Sequence, residues 1–451
     1  MIKVGKGSLT ILMASSMVIF LSFCLVLMEG VRVYFFKTKA LQAMELAKFS
    51  VLSDYQQELF RNYGVFFIDL DYEKNKEQSG ILEERAEKYI TMNAEELENQ
   101  EIAAVNFRRA TDGKGIAFFQ QAVELEKVKS GYKALEEVME AAGNFTEESV
   151  DLGALLEENQ EAAEGVLGEY TDEEGTPIWD ISLPNISFPS VELLTDAVFG
   201  SEEALSDRSV DIKERIGRRK LVQGTGKSEE ISITEMQLFH GYLFGHFTHY
   251  GNEDSGIPNE ALKYQLEYII AGKSNDRKNL ENVMWRIFLL RAGGDYLFYH
   301  QDTGKLMEAE AIALAIAGFT ANPILIQSVQ ELVLITWAIE DAIDETKEIY
   351  AGEKVPIYED GVFSGIKLGY QEYLYLFLNL TGSKDKIYRS MDLVELEVRK
   401  LSGYEQFRLD HCTDWFELEW TYRFDSLFEW IPLLNGGHYE NTVKRTMKYE
   451  T

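Results

Sequence analysis

The stretch that decides the fold is "GKGSLTILMASSMVIFLSFCLVLMEGVRVYFF", which runs from Gly5 to Phe36. Within it, Leu9–Met28 carries no charged side chain. A run of about 20 apolar residues is the length that crosses a bilayer as one helix. It is longer than the apolar core of a secretory leader, and no small-residue cleavage site follows it. We therefore expect an uncleaved membrane anchor, with a cleaved leader as the alternative.

The helix is expected to continue beyond the bilayer. The segment from Glu29 to Asn62 contains no proline, and its apolar residues recur every three to four positions. The pair Tyr63-Gly64 supplies a helix stop, because glycine is favoured just after a helix end. The pattern predicts one helix from Ser8 to Asn62, half of it in lipid and half of it a stalk.

The orientation of this anchor does not follow from charge alone. Basic residues lie on both sides of the apolar run, with Lys3 and Lys6 before it and Arg32, Lys37 and Lys39 after it. The short segment before the run favours an N-terminus inside the cell and the bulk of the chain outside. The expected location is the cell membrane, with a single pass and lipid as a partner.

The overall charge narrows the partners further. The chain has 451 residues, with 44 Lys+Arg against 76 Asp+Glu, for a net charge of −32. Such a surface repels nucleic acid, so we expect no nucleic-acid partner. The two cysteines, Cys24 and Cys412, lie in the anchor and in the exported part, so they do not pair within one chain. An exported chain of this kind folds without disulfides.

The segment after the anchor, "EGVRVYFFKTKALQAMELA" (Glu29–Ala47), resembles the corresponding segment of Tad-type pilus proteins, the TadE/TadG-like minor pilins. The resemblance implies a pilin-like stalk and association with other pilus or assembly proteins through the N-terminal helix. Within it, Glu29, Arg32 and Tyr34 are the candidate assembly residues. The residues that carry the resemblance are Glu29, Gly30, Arg32, Tyr34, Lys37, Leu41, Gln42 and Ala43.

The same resemblance makes Gly7-Ser8 a candidate processing site. Type IV prepilins are cut after a glycine and carry Glu at the fifth mature position, whereas the fifth residue here is Leu12. This departure puts processing in doubt. For Glu29 the alternative to an assembly role is a local pair with Arg32, three residues further along the helix.

A second resemblance covers most of the chain. The segments "LEYIIAGKS" (Leu266–Ser274), "WAIEDAIDETKEIYAGEKVP" (Trp337–Pro356) and "YRSMDLVELEVR" (Tyr388–Arg399) resemble an uncharacterised Gram-positive membrane-anchored family. That resemblance implies one anchor followed by a large extracytoplasmic domain of unknown function. It implies no chemistry.

The exported part is expected to be α+β, with an antiparallel sheet, helices packed on it and a large helical insertion. Strands are predicted at Gly64–Tyr72, Glu101–Ala110, Leu262–Ile270 and Trp415–Phe424 from their apolar runs or alternation. Helices are predicted at Ile116–Ala142 and at about 231–249, 276–299, 305–319, 324–350, 367–380 and 384–401.

The expected domain order follows from these elements. Residues 1–62 form the anchor and stalk, and residues 63–143 form the first part of the α+β head. Residues 144–176, which are acidic and interrupted by glycines, are expected to be a loop or linker. Residues 177–451 form the main head with its helical insertion.

A second uncharged run, Ala311–Gln330, raises the membrane question again. It contains Asn322 and Pro323 near its centre, which favours a helix–proline–helix hairpin within the folded protein. A second membrane span is the alternative.

Two motifs invite a functional interpretation that their context does not support. "GTGKS" (Gly224–Ser228) matches the end of a phosphate-binding loop, but Leu221 stands where that loop requires glycine. We therefore expect a flexible loop. The basic cluster Lys213–Lys220 is read as a solvated helix face, and contact with anionic lipid or wall polymer is the alternative.

The remaining candidate sites are weaker. His240, His246 and His249 lack the spacing of a zinc site and are expected to pack among aromatic residues. "DLDYEKN" (Asp69–Asn75) lacks the glycine and the final carboxylate of a calcium loop. Cys412 is expected to be a buried or idle thiol.

No catalytic, cofactor-binding or metal-binding residues are predicted. The leading expectation is a non-enzymatic, single-span surface protein that serves as a minor pilin or pseudopilin in a Tad-type assembly. A membrane-tethered sensor or adhesin is the alternative, and a tethered hydrolase is a third possibility without a recognisable catalytic group.

Overall fold

The computed structural model divides the chain into two compact units. The sheet unit comprises Met1–Glu124, Lys220–Ile231 and Val398–Thr451, and the helical unit comprises Leu125–Arg219 and Ser232–Glu397. The predicted α+β fold with a large helical insertion is confirmed, because the helical unit interrupts the sequence of the sheet unit. The residues that the structure describes are 6–70, 78–129, 151–169, 186–200, 205–211, 213–252, 261–357, 367–427 and 437–449.

The first helix, α1 (Lys6–Leu52), has 47 residues and is therefore about 70 Å long. Its second half packs on the sheet through one buried face made of Ala40, Ala43, Met44, Ala47 and Val51. The prediction of one helix as far as Asn62 is wrong, because α1 ends at Leu52.

A short second helix, α2 (Gln57–Tyr63), follows this break. The side chain of Gln56 caps it by accepting the N–H of Leu59 at 2.8 Å, and the N–H of Gln56 itself donates to the carbonyl of Phe67. A backbone committed to both bonds cannot continue α1 through Gln56. The predicted stop is confirmed, since Gly64 ends α2 in the left-handed conformation, with φ 67°.

The sheet is built around one central strand, β5 (Cys412–Asp425). Each of the other three described strands of this sheet pairs antiparallel with β5. Alternate residues of β5 are buried, as its sequence predicted, and this face packs with α1 and α3 in one core. The other elements of the sheet unit are β1 (Ile68–Asp69), α3 (Gln78–Asn93), β2 (Glu98–Arg109), the start of α4 (Asp112–Lys129) and β6 (His438–Lys448).

One predicted strand and one predicted helix are recovered only in part, and a second predicted strand is confirmed. Of the strand expected at Gly64–Tyr72, whose residues 71–72 lie outside the described part, only β1 is a strand, and the strand expected at Glu101–Ala110 is confirmed as β2. The helix expected at Ile116–Ala142 is confirmed as far as Lys129, and the rest lies outside the described residues.

Among its described residues the helical unit contains the six remaining helices that the sequence predicted, each with its ends within a turn of the expected positions, and three further helices. They are α5 (Leu152–Glu169), α6 (Val191–Phe199), α7 (Ile233–His246), α8 (Gln265–Ala271), α9 (Asp276–Gln301), α10 (Thr303–Ala317), α11 (Pro323–Tyr350), α12 (Tyr370–Leu380) and α13 (Ser383–Arg399), with a two-stranded ribbon of β3 (Val355–Pro356) and β4 (Lys367–Leu368).

Three of these helices were not expected, and two of them replace a different prediction. The strand predicted at Leu262–Ile270 is wrong, because α8 occupies most of it and its residues Gln265–Ile270 are all buried. A helix buried on every side has no polar face, so alternating residues in it say nothing about a strand. The loop predicted at 144–176 is wrong over α5, whose acidic residues lie on the exposed side while Leu152, Leu156 and Ala163 are buried.

Candidate anchor and assembly surface

The first part of α1 is not covered by any other described part of the protein. Large apolar side chains are exposed all along Leu9–Met28, among them Ile11, Ile19 and Val26. Two of its serine hydroxyls donate hydrogen bonds within the helix itself. Those of Ser15 and Ser16 donate to carbonyls one turn back, at 3.0 and 2.9 Å. A segment whose surface is apolar and whose polar groups are satisfied internally has the properties that a bilayer requires.

Two described helices are long and apolar enough to cross a membrane by length and composition: α1 over Leu9–Leu52, and α11 over Pro323–Tyr350. The most apolar window of α1 is not buried at all within the protein, whereas half of that of α11 is buried. A signal sequence or the core helix of a soluble protein passes the same test. The structure therefore supports an N-terminal helix that is either an anchor or a signal sequence.

Burial of α1 begins abruptly at Glu29, the residue directly after the apolar run. The Glu29 side chain is 9% exposed, and its two carboxylate oxygens accept the backbone N–H of Leu427 at 3.3 and 3.2 Å. The hydroxyl of Tyr439 also donates to it, and burial together with the Glu29 charge raises the pKa of Tyr439. Glu29 thus joins α1 to the end of β5 and the start of β6.

The other two candidate assembly residues lie one turn further along. Instead of the expected local pair with Glu29, the guanidinium of Arg32 lies over the ring of Phe36, 5.2 Å from its centroid. Tyr34 is 73% exposed and faces away from the core. The structure therefore separates the three residues, with Glu29 turned inward and Tyr34 outward.

The outward face of α1 carries large apolar residues well beyond the uncharged run, together with the exposed Gln42 and Glu45. Its exposed residues recur at helical spacing, opposite the face that packs on the sheet. The helix thus presents apolar residues both to its own core and to its surroundings. The outward stripe consists of Val31, Tyr34, Phe35, Leu41, Leu46 and Phe49.

The candidate processing site lies in the first turn of α1, which contains both Gly7 and Ser8. Leu12, the fifth residue after the junction, is exposed. Processing at this junction stays a prediction.

The "GTGKS" loop is occupied by a side chain of the protein itself. One carboxylate, Asp112, accepts the N–H groups of Gly224 at 2.9 Å, Gly226 at 3.0 Å and Arg109 at 2.9 Å. A side-chain carbon added at Gly224 would lie 2.3 Å from an Asp112 oxygen. The prediction of a loop is confirmed, but the bonds to Asp112 fix its backbone within the sheet unit, so nothing supports the predicted flexibility.

The basic cluster Lys213–Lys220 is not the solvated helix face that its sequence predicted. Arg215 is buried and donates to the carbonyls of Gly272 and Lys273, at 2.7 and 2.8 Å. Arg219 forms a two-pronged ion pair with the buried Glu395. Both arginines serve the packing of the helical unit, which leaves less positive charge on the surface than the sequence suggests.

The three histidines pack as predicted. His240 is fully buried beside Lys386, with 2.9 Å between His240 Nε2 and Lys386 Nζ. One ring nitrogen of His246 contacts the carbonyl of Tyr242, and one of His249 contacts the carbonyl of Tyr250. Among the described residues no group of three or more His, Cys, Asp or Glu side chains is arranged to hold a metal ion.

The two remaining sequence candidates are Cys412 and the segment that resembles a calcium loop. Cys412 is buried, as predicted, and both cysteines are free thiols. Residues 71–75 of the calcium-loop candidate Asp69–Asn75 lie outside the described residues.

Comparison with known proteins places the chain in a family. A family model described as a family of unknown function, DUF5702, matches residues 190–362 and 360–424, which is more than half of the chain. The chain belongs to the DUF5702 family. No curated protein and no solved structure matches it.

The DUF5702 match includes all three segments on which the family resemblance rests, Leu266–Ser274, Trp337–Pro356 and Tyr388–Arg399. It begins at residue 190 and so does not reach Glu29–Ala47. The family match therefore does not test the likeness of that segment to Tad-type pilus proteins, which stays a prediction.

Sequence reasoning missed an acidic cavity of about 310 Å³ in the DUF5702 region. At its wall the buried guanidinium of Arg291 pairs with Glu345 and lies 3.6 Å from Asp295. Burial and the neighbouring Glu345 charge raise the pKa of Asp295 well above its usual range. With 76 acidic residues in the chain, no sequence signal marks these carboxylates. The cavity walls also include Tyr299, Asp341, Asp344 and Glu348.

A second DUF5702 cavity, of about 250 Å³, is lined by His249, Tyr250, Tyr350 and Tyr370. The hydroxyl of Tyr370 donates to the fully buried Glu267 at 2.6 Å, and the N–H of Tyr250 donates to the same oxygen at 2.8 Å. Burial raises the pKa of Glu267 to about 7.

Proposed function

We propose that this DUF5702 protein is a non-enzymatic, single-pass protein of the cell membrane, with its N-terminus inside and both units outside. We further propose that it acts as a minor pilin or pseudopilin of a Tad-type pilus or secretion assembly. Its partners are then membrane lipid and other assembly proteins, which it contacts through α1.

The observation that carries this proposal is the set of large apolar side chains that α1 exposes on both sides of Glu29. It covers the bare segment Leu9–Met28 and continues as the outward stripe from Val31 to Phe49. An anchor alone needs only the first of these, since about 20 residues suffice to cross a bilayer. The second adds an exposed apolar face outside the membrane, and such faces mark interaction sites.

The resemblance of Glu29–Ala47 to Tad-type minor pilins supports the same assignment, and so does a long helix whose second half packs on an antiparallel sheet. In the proposed mechanism, stalk helices associate side by side through the outward stripe, with Tyr34 in the contact. Glu29 and the Leu427 N–H set the height of the sheet unit above the membrane. The acidic units then cap or initiate the assembly.

Cysteine cross-linking in native membranes tests the assembly role. The cysteine variant Tyr34→Cys, in a Cys24→Ala background, is expected to form disulfide-linked products with a second copy or with a Tad-like component under mild oxidation. Met92→Cys is the matched control, because Met92 is also well exposed but lies on α3. Equal yields at both positions, or no products at all, would contradict the assignment.

A tethered sensor or adhesin is a second candidate function, and the tyrosine-lined cavity beside His249 favours it. Under this alternative, a small ligand of the cell exterior raises the unfolding temperature of the full-length protein. Loss of that shift in a Tyr350→Ala variant, with cross-linking absent at Tyr34→Cys, would favour the sensor over the assembly subunit.

A further inference from the structure

The helical unit carries an apolar turn between α10 and α11 that its own fold leaves uncovered. We define the apolar turn as Gly318–Asn322, where a short 3-10 helix joins the two helices. Around it the large side chains of Leu314, Phe319 and Ile324 are 49%, 62% and 58% exposed. Three such side chains within 11 positions form an exposed apolar patch, of the kind that marks an interaction site.

The side-chain oxygens of Thr320 and Asn322 form hydrogen bonds within the turn or to the first residues of α11. The side chain of Asn322 accepts the N–H groups of Ile324 and Leu325, at 3.0 and 3.4 Å. The Thr320 hydroxyl donates to the carbonyl of Ala317 at 2.6 Å and accepts the N–H of Asn322 at 3.2 Å. A protein partner does not require this internal pairing, because it can supply hydrogen bonds itself, whereas lipid cannot.

The helices α10 and α11, which the apolar turn joins into a hairpin, both lack charged residues over a similar length next to the turn. The first charged residue going back along α10 is Glu310, and the first going forward along α11 is Glu331. Each lies about 10–12 Å from the end of its helix at the turn, at about 1.5 Å per residue. The charge-free parts of the two arms are thus of similar length, in a chain of which 27% is charged.

A third helix limits how deep this end of the unit can go. α5 packs beside the hairpin, with Ala163 and Val166 in one core cluster with Ala317 and Leu325. Its Glu164 is exposed. A carboxylate there opposes burial in hydrocarbon, so only the apolar turn itself can enter lipid, to the shallow depth of about 5–10 Å typical of interfacial segments.

We propose that the apolar turn rests in the interfacial region of a lipid bilayer, as a second membrane contact in addition to α1. The favoured lipid is zwitterionic, because a chain with net charge −32 is repelled by anionic headgroups. This inference relies on the membrane attachment proposed above, since a tethered unit meets the bilayer surface at high local concentration.

The test places a fluorescent label on a Phe319→Cys variant of the full-length chain, reconstituted in neutral phosphatidylcholine vesicles. The background is Cys24→Ala, in which the remaining thiol, Cys412, is buried. Ile233→Cys is the matched control, because Ile233 is an equally apolar and 81% exposed residue of the same unit. Phe20→Cys reports on the anchor.

The proposal expects the label at position 319 to be quenched by spin-labelled lipid, and to be at least about threefold less sensitive to aqueous iodide than the label at position 233. Equal iodide quenching at both positions would overturn it. Protection of position 319 from both quenchers would also overturn it, because a protein surface then covers the turn. If the label at position 20 is not quenched by lipid either, the anchor proposal fails; if it is, only the second contact fails.

Discussion

The backbone N–H of Leu427 donates to the carboxylate of Glu29, although the two residues are 398 positions apart in the chain. The bond lies at the point where α1 changes from a bare apolar helix to one packed on a sheet. It therefore fixes the sheet unit directly beside the end of the uncharged run. Glu29 is placed here as a structural junction, and the exposed Tyr34 as a surface residue of the same helix.

Replacing Glu29 by alanine should weaken the sheet unit. The change leaves the Leu427 N–H and the Tyr439 hydroxyl without their acceptor, which costs about 1–3 kcal/mol of unfolding free energy. Glu29→Gln should lose less, because the amide oxygen still accepts one bond. Denaturant unfolding of the full-length protein in detergent measures both. The exposed Tyr34→Ala serves as the control and should leave stability within about 0.5 kcal/mol of wild type; an equal loss there would contradict the junction.

The Asp112 carboxylate should be among the most sensitive positions of the sheet unit. It is 4% exposed and accepts three backbone N–H groups from two separate segments. Asp112→Ala is expected to cost about 3–5 kcal/mol, the upper end of single-substitution effects. Asp112→Asn, which keeps one acceptor oxygen, should recover part of this loss. A change below about 1 kcal/mol in the alanine variant would show that the loop is held by other contacts.

Gly224→Ala offers an independent check on the same loop. A side-chain carbon there would meet both an Asp112 oxygen and the Phe107 carbonyl, at 2.3 and 2.4 Å. Since the second of these is backbone, it cannot simply rotate away, and a loss of about 1–3 kcal/mol is expected. Gly30→Ala is the control, because a side-chain carbon there has open space around it. Thermal unfolding of the two variants should therefore differ clearly, and equal midpoints would contradict the tight packing of the loop.

Much of this fold follows from local sequence pattern. The alternation in "WFELEWTYRF" predicts β5 because one face of that strand packs on the core while the other remains polar. The same alternation in "LKYQLEYII" is misleading, because the helix α8 is buried on all sides and so has no polar face to set its period. An alternating pattern identifies a strand only when one face of the element is buried and the other is exposed to solvent. It does not distinguish a strand from a helix that is buried on all sides.

The contacts of the candidate site were less predictable than its location. The uncharged run located the exposed apolar part of α1, but the partner of Glu29 comes from 398 residues further along the chain. Only the folded sheet brings Leu427 and Tyr439 to it, so local reasoning offered Arg32 instead. The helix α5 was missed for a related reason, because its many glutamates obscured the buried stripe of Leu152, Leu156 and Ala163.

The stability of the helical unit should fall as pH rises toward 7. Burial raises the pKa of Glu267 to about 7, whereas an unfolded chain releases this proton at a pH of about 4.3. Between these two values the folded protein holds a proton that the unfolded chain has lost, so raising the pH favours unfolding, and the effect levels off above pH 7. The raised pKa of Asp392, about 6, acts in the same direction.

Glu267→Gln should remove the part of this pH dependence of stability that comes from Glu267. The wild-type protein is expected to lose about 1–3 kcal/mol more stability than the variant between pH 4.5 and 7.5. Thermal unfolding across that range measures the difference, and Glu353→Gln at an exposed position is the control. Parallel curves for wild type and Glu267→Gln would show that the buried carboxyl does not hold its proton.

The most direct test of the account is the topology of the native protein, determined by adding protease to intact cells and sequencing the N-terminus of the full-length chain and of the protected fragment. A single-pass anchor with both units outside predicts that the chain starts at Met1, or at Ser8 if the Gly7-Ser8 junction is cut. It also predicts that protease removes everything beyond about Glu29 without cell lysis and leaves a short membrane-bound fragment. A chain that is digested only after lysis, or a soluble product that begins after Met28, would contradict the anchored and exported arrangement.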